Sequence, residues 1–365
     1  MKVVWLGPWK SNHGPSSIRL SWAKEFQKND MVLTPVVLGS KNRWLENGFS
    51  KAIDVPASFG KIRRNMAYVR LLWNNRKEDC IVLGEKTMHL TLVARLFGYT
   101  QVVVDIRTLP IAYTSVFMTV FKWTEFSIQV LFSSLATKTL FITEGVKKIS
   151  CRINPLLQTK NSMLYPSLIK VDEFKQRVWD QSHAEVLRLV YVGSLDPGRG
   201  LSYMVDGVKV LNQTRKAELH IYGGGHGYQD LQNYVEQSAS DKFVHLKGYV
   251  DSVKVKTILC EYDIGLLCLP NEVVWRTSSP IKIFEYWAAG IPVMAANVDE
   301  IESILTDITY GATVSYGDLT GFVEAVDRIL VVDKRANNAE MRRQLAFELA
   351  DLSNIKHVCE FIKMD

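Results

Sequence analysis

SPIKIFEYWAAGIPV, residues 279–293, sets Glu285 just inside a helix, behind a Ser-Ser-Pro turn and ahead of a Gly290-Ile291-Pro292 stop. Ser278 or Ser279 is placed to cap that helix, and Pro280 suits its first turn, where no N–H is needed. A helix start presents unpaired N–H groups and partial positive charge, so it attracts phosphate. A carboxylate one turn further in can accept two hydrogen bonds from a ribose diol. The same acid could instead only ease the helix dipole, an effect of ~0.3–1 kcal/mol. Lys282, one turn from the start, either reaches a diphosphate or is a solvated lysine.

Outward from this run, short apolar stretches alternate with helical patterns. Leu189–Gly193, 219–225 (LHIYGGG), 244–250 (VHLKGYV) and 262–270 (YDIGLLCLP) read as strands and their exits. The first half repeats the alternation. Val3–Leu6, Val32–Leu38, Cys80–Leu83, Gln101–Asp105 and Thr139–Thr143 are strand-like, and the first ends at Gly7-Pro8. Ser17–Gln27, 61–76 and Thr87–Leu96 are helix-like. This pattern predicts an α/β protein with parallel sheets covered on both faces. A length of 365 residues favours two domains. Pro166 marks the linker, giving 1–166, 167–335 and a tail helix over 336–365.

The charge is divided unevenly. Residues 1–170 hold 24 Lys and Arg against 10 Asp and Glu, within a total of 44 against 38. A basic half suggests an anionic partner: membrane lipid, a lipid-linked diphosphate or nucleic acid. No recognition motif accompanies the charge, which argues against nucleic acid. The apolar stretch 109–138 is broken by Lys122 and Glu125, leaving runs too short to span a bilayer. It reads as one or two packed helices, or as an interfacial surface together with the basic helix 61–76. The five cysteines are dispersed, as expected of reduced thiols in a cytosolic protein, with Cys260 and Cys268 in the core. The start MKVVWLGPW is too short an apolar stretch for a signal peptide.

The 279–293 run resembles the donor-site signature of retaining glycosyltransferases of family 4, and the resemblance extends over residues 186–330. Val190-Tyr191-Val192-Gly193-Ser194-Leu195 followed by Arg199-Gly200 is similar to the family's strand and its phosphate-gripping basic residue. The resemblance implies the GT-B architecture, with two Rossmann-like domains facing across a cleft and a tail crossing back to the first. It implies transfer of a sugar from a nucleotide-sugar to an acceptor hydroxyl with retention of configuration. It assigns Glu285 to the ribose and Arg199 to the diphosphate; Lys282 and the N–H groups of Ser278 and Ser279 at the helix start could reach the same diphosphate, with Ser194 and Ile281 on the donor side. Tyr249 and Val250 lie in the loop expected to hold the base. Family members usually carry a second acid eight positions before Glu285, where this chain has Thr277, and a second basic residue where it has Ser194.

In the first half, the loop carrying His13 and Gly14 is similar to the family's loop between first strand and first helix, expected to touch the acceptor or the transferred sugar. Asp105 with Arg107 ends a predicted strand, where ligands gather in open α/β sheets; a structural ion pair is the other reading. Gly223-Gly224-Gly225-His226-Gly227 does not make G-x-G-x-x-G, because residue 228 is Tyr. No Asp-x-Asp occurs and no two histidines are spaced for a metal, so no divalent ion and no cofactor beyond the donor are expected. The expected setting is the cytoplasmic face of a membrane, in bacterial surface polysaccharide or glycolipid assembly, with a lipid-linked or glycan acceptor. Two other readings stay open: a nucleotide-sugar 2-epimerase of the same architecture, and a non-catalytic binding module.

Overall fold

The computed structural model describes residues 1–10, 17–38, 52–56, 58–84, 87–110, 115–159, 161–177, 185–333 and 337–364, with backbone alone for 7–10, 17–22 and 37–38. The chain divides into two compact units. The first comprises Met1–Leu168, Thr277–Ser279 and Leu352–Asp365; the second comprises Ile169–Arg276 and Pro280–Asp351.

Among the described residues the first unit is built on seven parallel strands in the order β3-β2-β1-β4-β5-β6-β7. They are β1 Lys2–Lys10, β2 Val32–Leu38, β3 Ile53–Val55, β4 Cys80–Leu83, β5 Gln101–Ile106, β6 Lys138–Phe141 and β7 Ser162–Leu164. Its helices are α1 Ser17–Lys28, α2 Lys61–Asn74, α3 Thr91–Leu96, α4 Val116–Ser133 and α5 Glu144–Ile153. Strand side chains alternate between two cores. Val4, Leu6, Ile81, Leu83, Val102 and Val104 face one, and Val3, Trp5, Cys80, Val82 and Val103 face the other. β1 does not end at Gly7-Pro8. It continues to Lys10, with its register against β2 shifting between Leu6 and Trp9. At such an irregularity a proline's missing donor removes no regular ladder bond.

Among the described residues, the apolar stretch after β5 forms one helix, α4. Phe126, Gln129, Val130 and Ser133 are buried, while Val116, Phe117, Val120, Phe121, Ile128 and Leu131 are exposed. Among the described residues no helix is long and apolar enough to cross a membrane. α2 lies beside α4: Lys61 Nζ donates to Glu125 Oε1 at 2.7 Å and approaches the Phe121 ring at 5.8 Å. Lys122 Nζ donates to the other Glu125 oxygen at 3.0 Å. These ammonium groups, the Lys61 hydrogen bond foremost, hold the Glu125 carboxyl below its ordinary range. An acid depressed in this way stabilises the fold above its unfolded pKa and ceases to do so as pH falls through its folded value. Glu125→Gln should therefore cost roughly 0.5–1 kcal/mol at neutral pH and less at about pH 3. Urea titrations of both proteins at the two pH values test this; an equal cost at both would contradict it.

Among the described residues the second unit holds six parallel strands in the order β10-β9-β8-β11-β12-β13. They are β8 Leu187–Val192, β9 Ala217–Tyr222, β10 Val244–Gly248, β11 Ile264–Leu267, β12 Val293–Ala296 and β13 Gly311–Val314. Its helices are α6 Leu201–Leu211, α7 Tyr228–Gln237, α8 Ser252–Ile258, α9 Val273–Arg276, α10 Ile281–Ala288, α11 Asp299–Glu302, α12 Leu319–Val332 and α13 Asn337–Ala350. Leu189, Tyr191, Leu219, Ile221 and Leu266 pack under α6, α7 and α12. Val190, Val192, Leu267, Val293 and Ala295 pack under α10 and α13. Arg177 and Arg342 clamp Asp333 from both sides, at 3.4 and 2.6 Å, and Arg177 also meets Asp263 at 2.5 Å. Cys268 is buried as expected, but Cys260 is half-buried on the turn after α8.

The last helix, α14 Ile355–Lys363, returns to the first unit. Leu352, Ile355, Val358, Cys359 and Ile362 are buried there with Val3, Trp5 and Val82. Lys138 Nζ donates to the Ile362 carbonyl at 3.0 Å.

Candidate functional site

All six strands of the second unit are parallel, so every strand exit lies on one edge of its sheet. From β8 outward the chain winds to β9 and β10; from β11 it winds the other way, to β12 and β13. The reversal falls between β8 and β11, the place where open α/β sheets bind ligands. Ser194 and Arg199 lie on the exit of β8, and Tyr249 and Val250 on that of β10. Ile281, Lys282 and Glu285 lie in α10, the second helix after β11.

The exits of β8 and β11 are locked together at Gly200. Its φ is +70°, and a Cβ there would lie 1.7 Å from the Cys268 carbonyl oxygen. Gly200 caps α6, so the free N–H groups of that helix start beside Arg199. The Arg199 guanidinium stacks on the Trp275 ring in α9, 4.3 Å from its centroid. Gly223 makes a similar close approach between β8 and β9, where a Cβ would lie 1.8 Å from the Gly193 carbonyl oxygen. Its N–H donates to the Gly248 carbonyl at 2.9 Å, linking the β9 and β10 exits. The glycine run therefore serves backbone packing.

Glu285 is buried in α10, and Lys282 Nζ donates to its Oε2 at 2.6 Å. The structure thus brings together two residues that the sequence treated separately. Lys282 is paired, not simply solvated, and a ribose on Glu285 would share that carboxylate with an ammonium group. The serine cap expected for this helix does not form. Pro280 occupies the cap position with no side-chain capping bond, and Ser279 Oγ accepts the Ser167 N–H at 3.0 Å instead. Ser278 and Ser279 group with the first unit, as does Thr277, whose carbonyl accepts the Thr143 hydroxyl at 2.6 Å.

Ser194 has a local partner: its hydroxyl donates to the Asp196 carboxylate. That bond, and the His226 N–H at 3.1 Å, hold the Asp196 carboxyl below its usual range. Ile281 and Val250 are half-buried against the α10 core, whereas Tyr249 is exposed. In the first unit Asp105 is buried at the end of β5, 3.5 Å from Arg107, and the Arg107 guanidinium lies over the Tyr165 ring at 4.8 Å. That geometry suits the ion-pair reading. His13 and Gly14 lie outside the described residues.

Two features were not anticipated. Trp275, as the platform for Arg199, comes from the exit of a different strand; a tryptophan just ahead of the Ser-Ser-Pro turn was its only signal. Glu218, His220 and His245 each offer a ligand atom, all within 4.8 Å of one another, although the two histidines are far apart in sequence.

The sequence profile described as glycosyl transferases group 1 matches residues 187–331. The chain is 27% identical over 183 residues to the phosphatidylinositol N-acetylglucosaminyltransferase GPI3 subunit of Saccharomyces cerevisiae, covering 45% of this chain and 40% of that one. It is 24% identical over 158 residues to an uncharacterized 41.2 kDa protein in the cps region of Klebsiella pneumoniae, covering 43% and 41%. The chain thus spans about two fifths of the length of these curated relatives. Among solved structures, the lipopolysaccharide outer core galactosyltransferase WaaB in its apo form superposes with a TM-score of 0.74 at 14% identity, over 100% of both chains. HepE of Anabaena in complex with UDP gives 0.76 at 13% identity, over 99% of this chain and 98% of that one. These likenesses establish the fold as GT-B.

Proposed function

We propose that this protein, whose residues 187–331 match the glycosyl transferases group 1 profile, is a nucleotide-sugar-dependent glycosyltransferase whose donor lies on the strand exits of the second unit. The observation that carries the reading is the sheet reversal between β8 and β11, flanked by Arg199 on one side and the Lys282–Glu285 pair on the other. Glu285 takes the ribose hydroxyls. Arg199, Lys282 and the N–H groups at the starts of α6 and α10 take the diphosphate, which leaves as the sugar departs. Ser194 and Ile281 border the phosphates, and Tyr249 and Val250 border the base.

Transfer proceeds with retention. The departing diphosphate accepts the proton of the acceptor hydroxyl on the face where the new bond forms, so no separate carboxylate or histidine base is needed. The acceptor is a lipid-linked or glycan hydroxyl presented at an anionic membrane surface, and His13 belongs to its side. Support comes from the first unit, where the basic helix α2 exposes Ile62, Met66 and Trp73 beside the exposed apolar residues of α4. Cations interleaved with apolar side chains suit peripheral binding to acidic lipid. The names of the similar proteins favour surface polysaccharide or glycolipid assembly, and the HepE complexes make uridine nucleotides the first donors to test.

Thermal shift against UDP-, GDP- and ADP-sugars is the first experiment, because a ligand bound only by the folded state raises the melting temperature. One nucleotide class should raise it by several degrees at saturation. Turnover is then measured with and without membrane extract. Nucleotide release that requires the extract supports the transferase. Sugar conversion without acceptor indicates an epimerase, binding without turnover a binding module, and no binding by any donor overturns the site.

A further inference from the structure

β9 presents two faces. Ala217, Leu219 and Ile221 enter the core under α6 and α7, while Glu218, His220 and Tyr222 are half-buried on the opposite face. β10 pairs with β9 in parallel, and the register sets His245 directly opposite His220. Their rings stand edge to face with centroids 5.0 Å apart. Glu218 Oε2 lies 3.2 Å from His220 Nε2 and 4.0 Å from His245 Nε2. Three ligand atoms from three side chains therefore face one small volume.

We propose that Glu218, His220 and His245 form a binding site for a divalent transition-metal ion, held by the two Nε2 atoms and the carboxylate and completed by water. Two imidazoles with one carboxylate suit zinc, cobalt, nickel or copper; magnesium and calcium prefer oxygen ligands throughout. Bonds of ~2.0–2.2 Å to nitrogen and oxygen place ligand atoms about 3.3 Å apart in a tetrahedral site. The present spacings reach that with small side-chain rotations.

The surrounding hydrogen bonds match a metal-binding imidazole. His220 Nδ1 lies 2.9 Å from Tyr262 Oη, which lies 2.7 Å from Tyr222 Oη. With the metal on Nε2, Nδ1 carries the proton and donates it to Tyr262, whose hydroxyl donates on to Tyr222. Such a partner fixes the tautomer and ring orientation of a ligand histidine. Among the described residues β10 is an edge strand paired only with β9, so the ion would pin it at one register position. Tyr222 directly precedes the glycine run at the β9 exit, and the site is thus tied to the backbone bordering the proposed donor.

The test uses the full chain stripped with EDTA, then titrated with Co(II) and with Zn(II). We expect one ion per chain, and a visible Co(II) spectrum of nitrogen and oxygen ligation without thiolate charge-transfer bands. Glu218→Gln and His245→Ala should each weaken binding at least about tenfold, and Tyr262→Phe should weaken it by a smaller factor. Circular dichroism checks that each variant is folded, and the conservative Glu218→Gln keeps the test decisive should His245→Ala not be. No saturable binding, thiolate bands in the spectrum, or unchanged affinity in Glu218→Gln would overturn the site. Ion binding is read directly, so failure of sugar transfer does not affect the outcome.

Discussion

Glu285→Ala should reduce kcat/KM for the donor by about 30–150-fold, the equivalent of about 2–3 kcal/mol for hydrogen bonds to a charged acceptor. The ribose contact exists before and during transfer, so the loss should appear chiefly in KM while kcat changes little. Lys282 loses its 2.6 Å partner in this variant, but its side chain is one quarter exposed and can turn to water. The fold should therefore survive, with a melting temperature within a few degrees of the parent. Lys282→Met supplies the contrast. If that ammonium steadies the departing diphosphate, kcat falls more than KM rises. Steady-state kinetics on the best donor from the binding screen decide the matter, and unaltered kinetics in Glu285→Ala would remove the central assignment.

Gly200→Ala should destabilise the second unit by about 3–5 kcal/mol, the sum of left-handed backbone strain and a steric conflict that cannot relax cheaply. The obstacle is backbone: the added Cβ would lie 1.7 Å from the Cys268 carbonyl oxygen, so the β8 and β11 exits must separate. Gly198, two residues earlier, is an internal control. It also has positive φ, at +81°, but a Cβ there meets nothing within 4 Å. Gly198→Ala should cost only the strain, about 1–2 kcal/mol. Urea unfolding of the two variants separates the contributions, and equal costs would show that the close approach carries no weight.

The parallel-sheet architecture was legible because most of its strands are short runs rich in Val, Ile and Leu, and β2 occupies the predicted Val32–Leu38. What escaped the reading depends on partners distant in sequence. Gly7-Pro8 looked like a strand end, but a register shift against β2 lets β1 continue past it. Ser279 had the right chemistry for a helix cap, yet the Ser167 N–H claims its oxygen. Arg199 could be singled out from its Gly-Arg-Gly turn, whereas its stacking on Trp275 required two strand exits to meet. The pairing of His220 with His245 exists only through strand register, which no local spacing encodes.

The return of α14 ties completion of the first unit to the synthesis of residues 352–363. Residues 169–351 can collapse while the earlier segment still lacks the helix that covers Val3, Trp5 and Val82. At ~5–20 residues added per second, that gap stays open for about 10–40 s after Leu168 is made. A nascent chain halted before Leu352 would carry a finished second unit and a sticky, incomplete first one, the substrate a chaperone or protease selects.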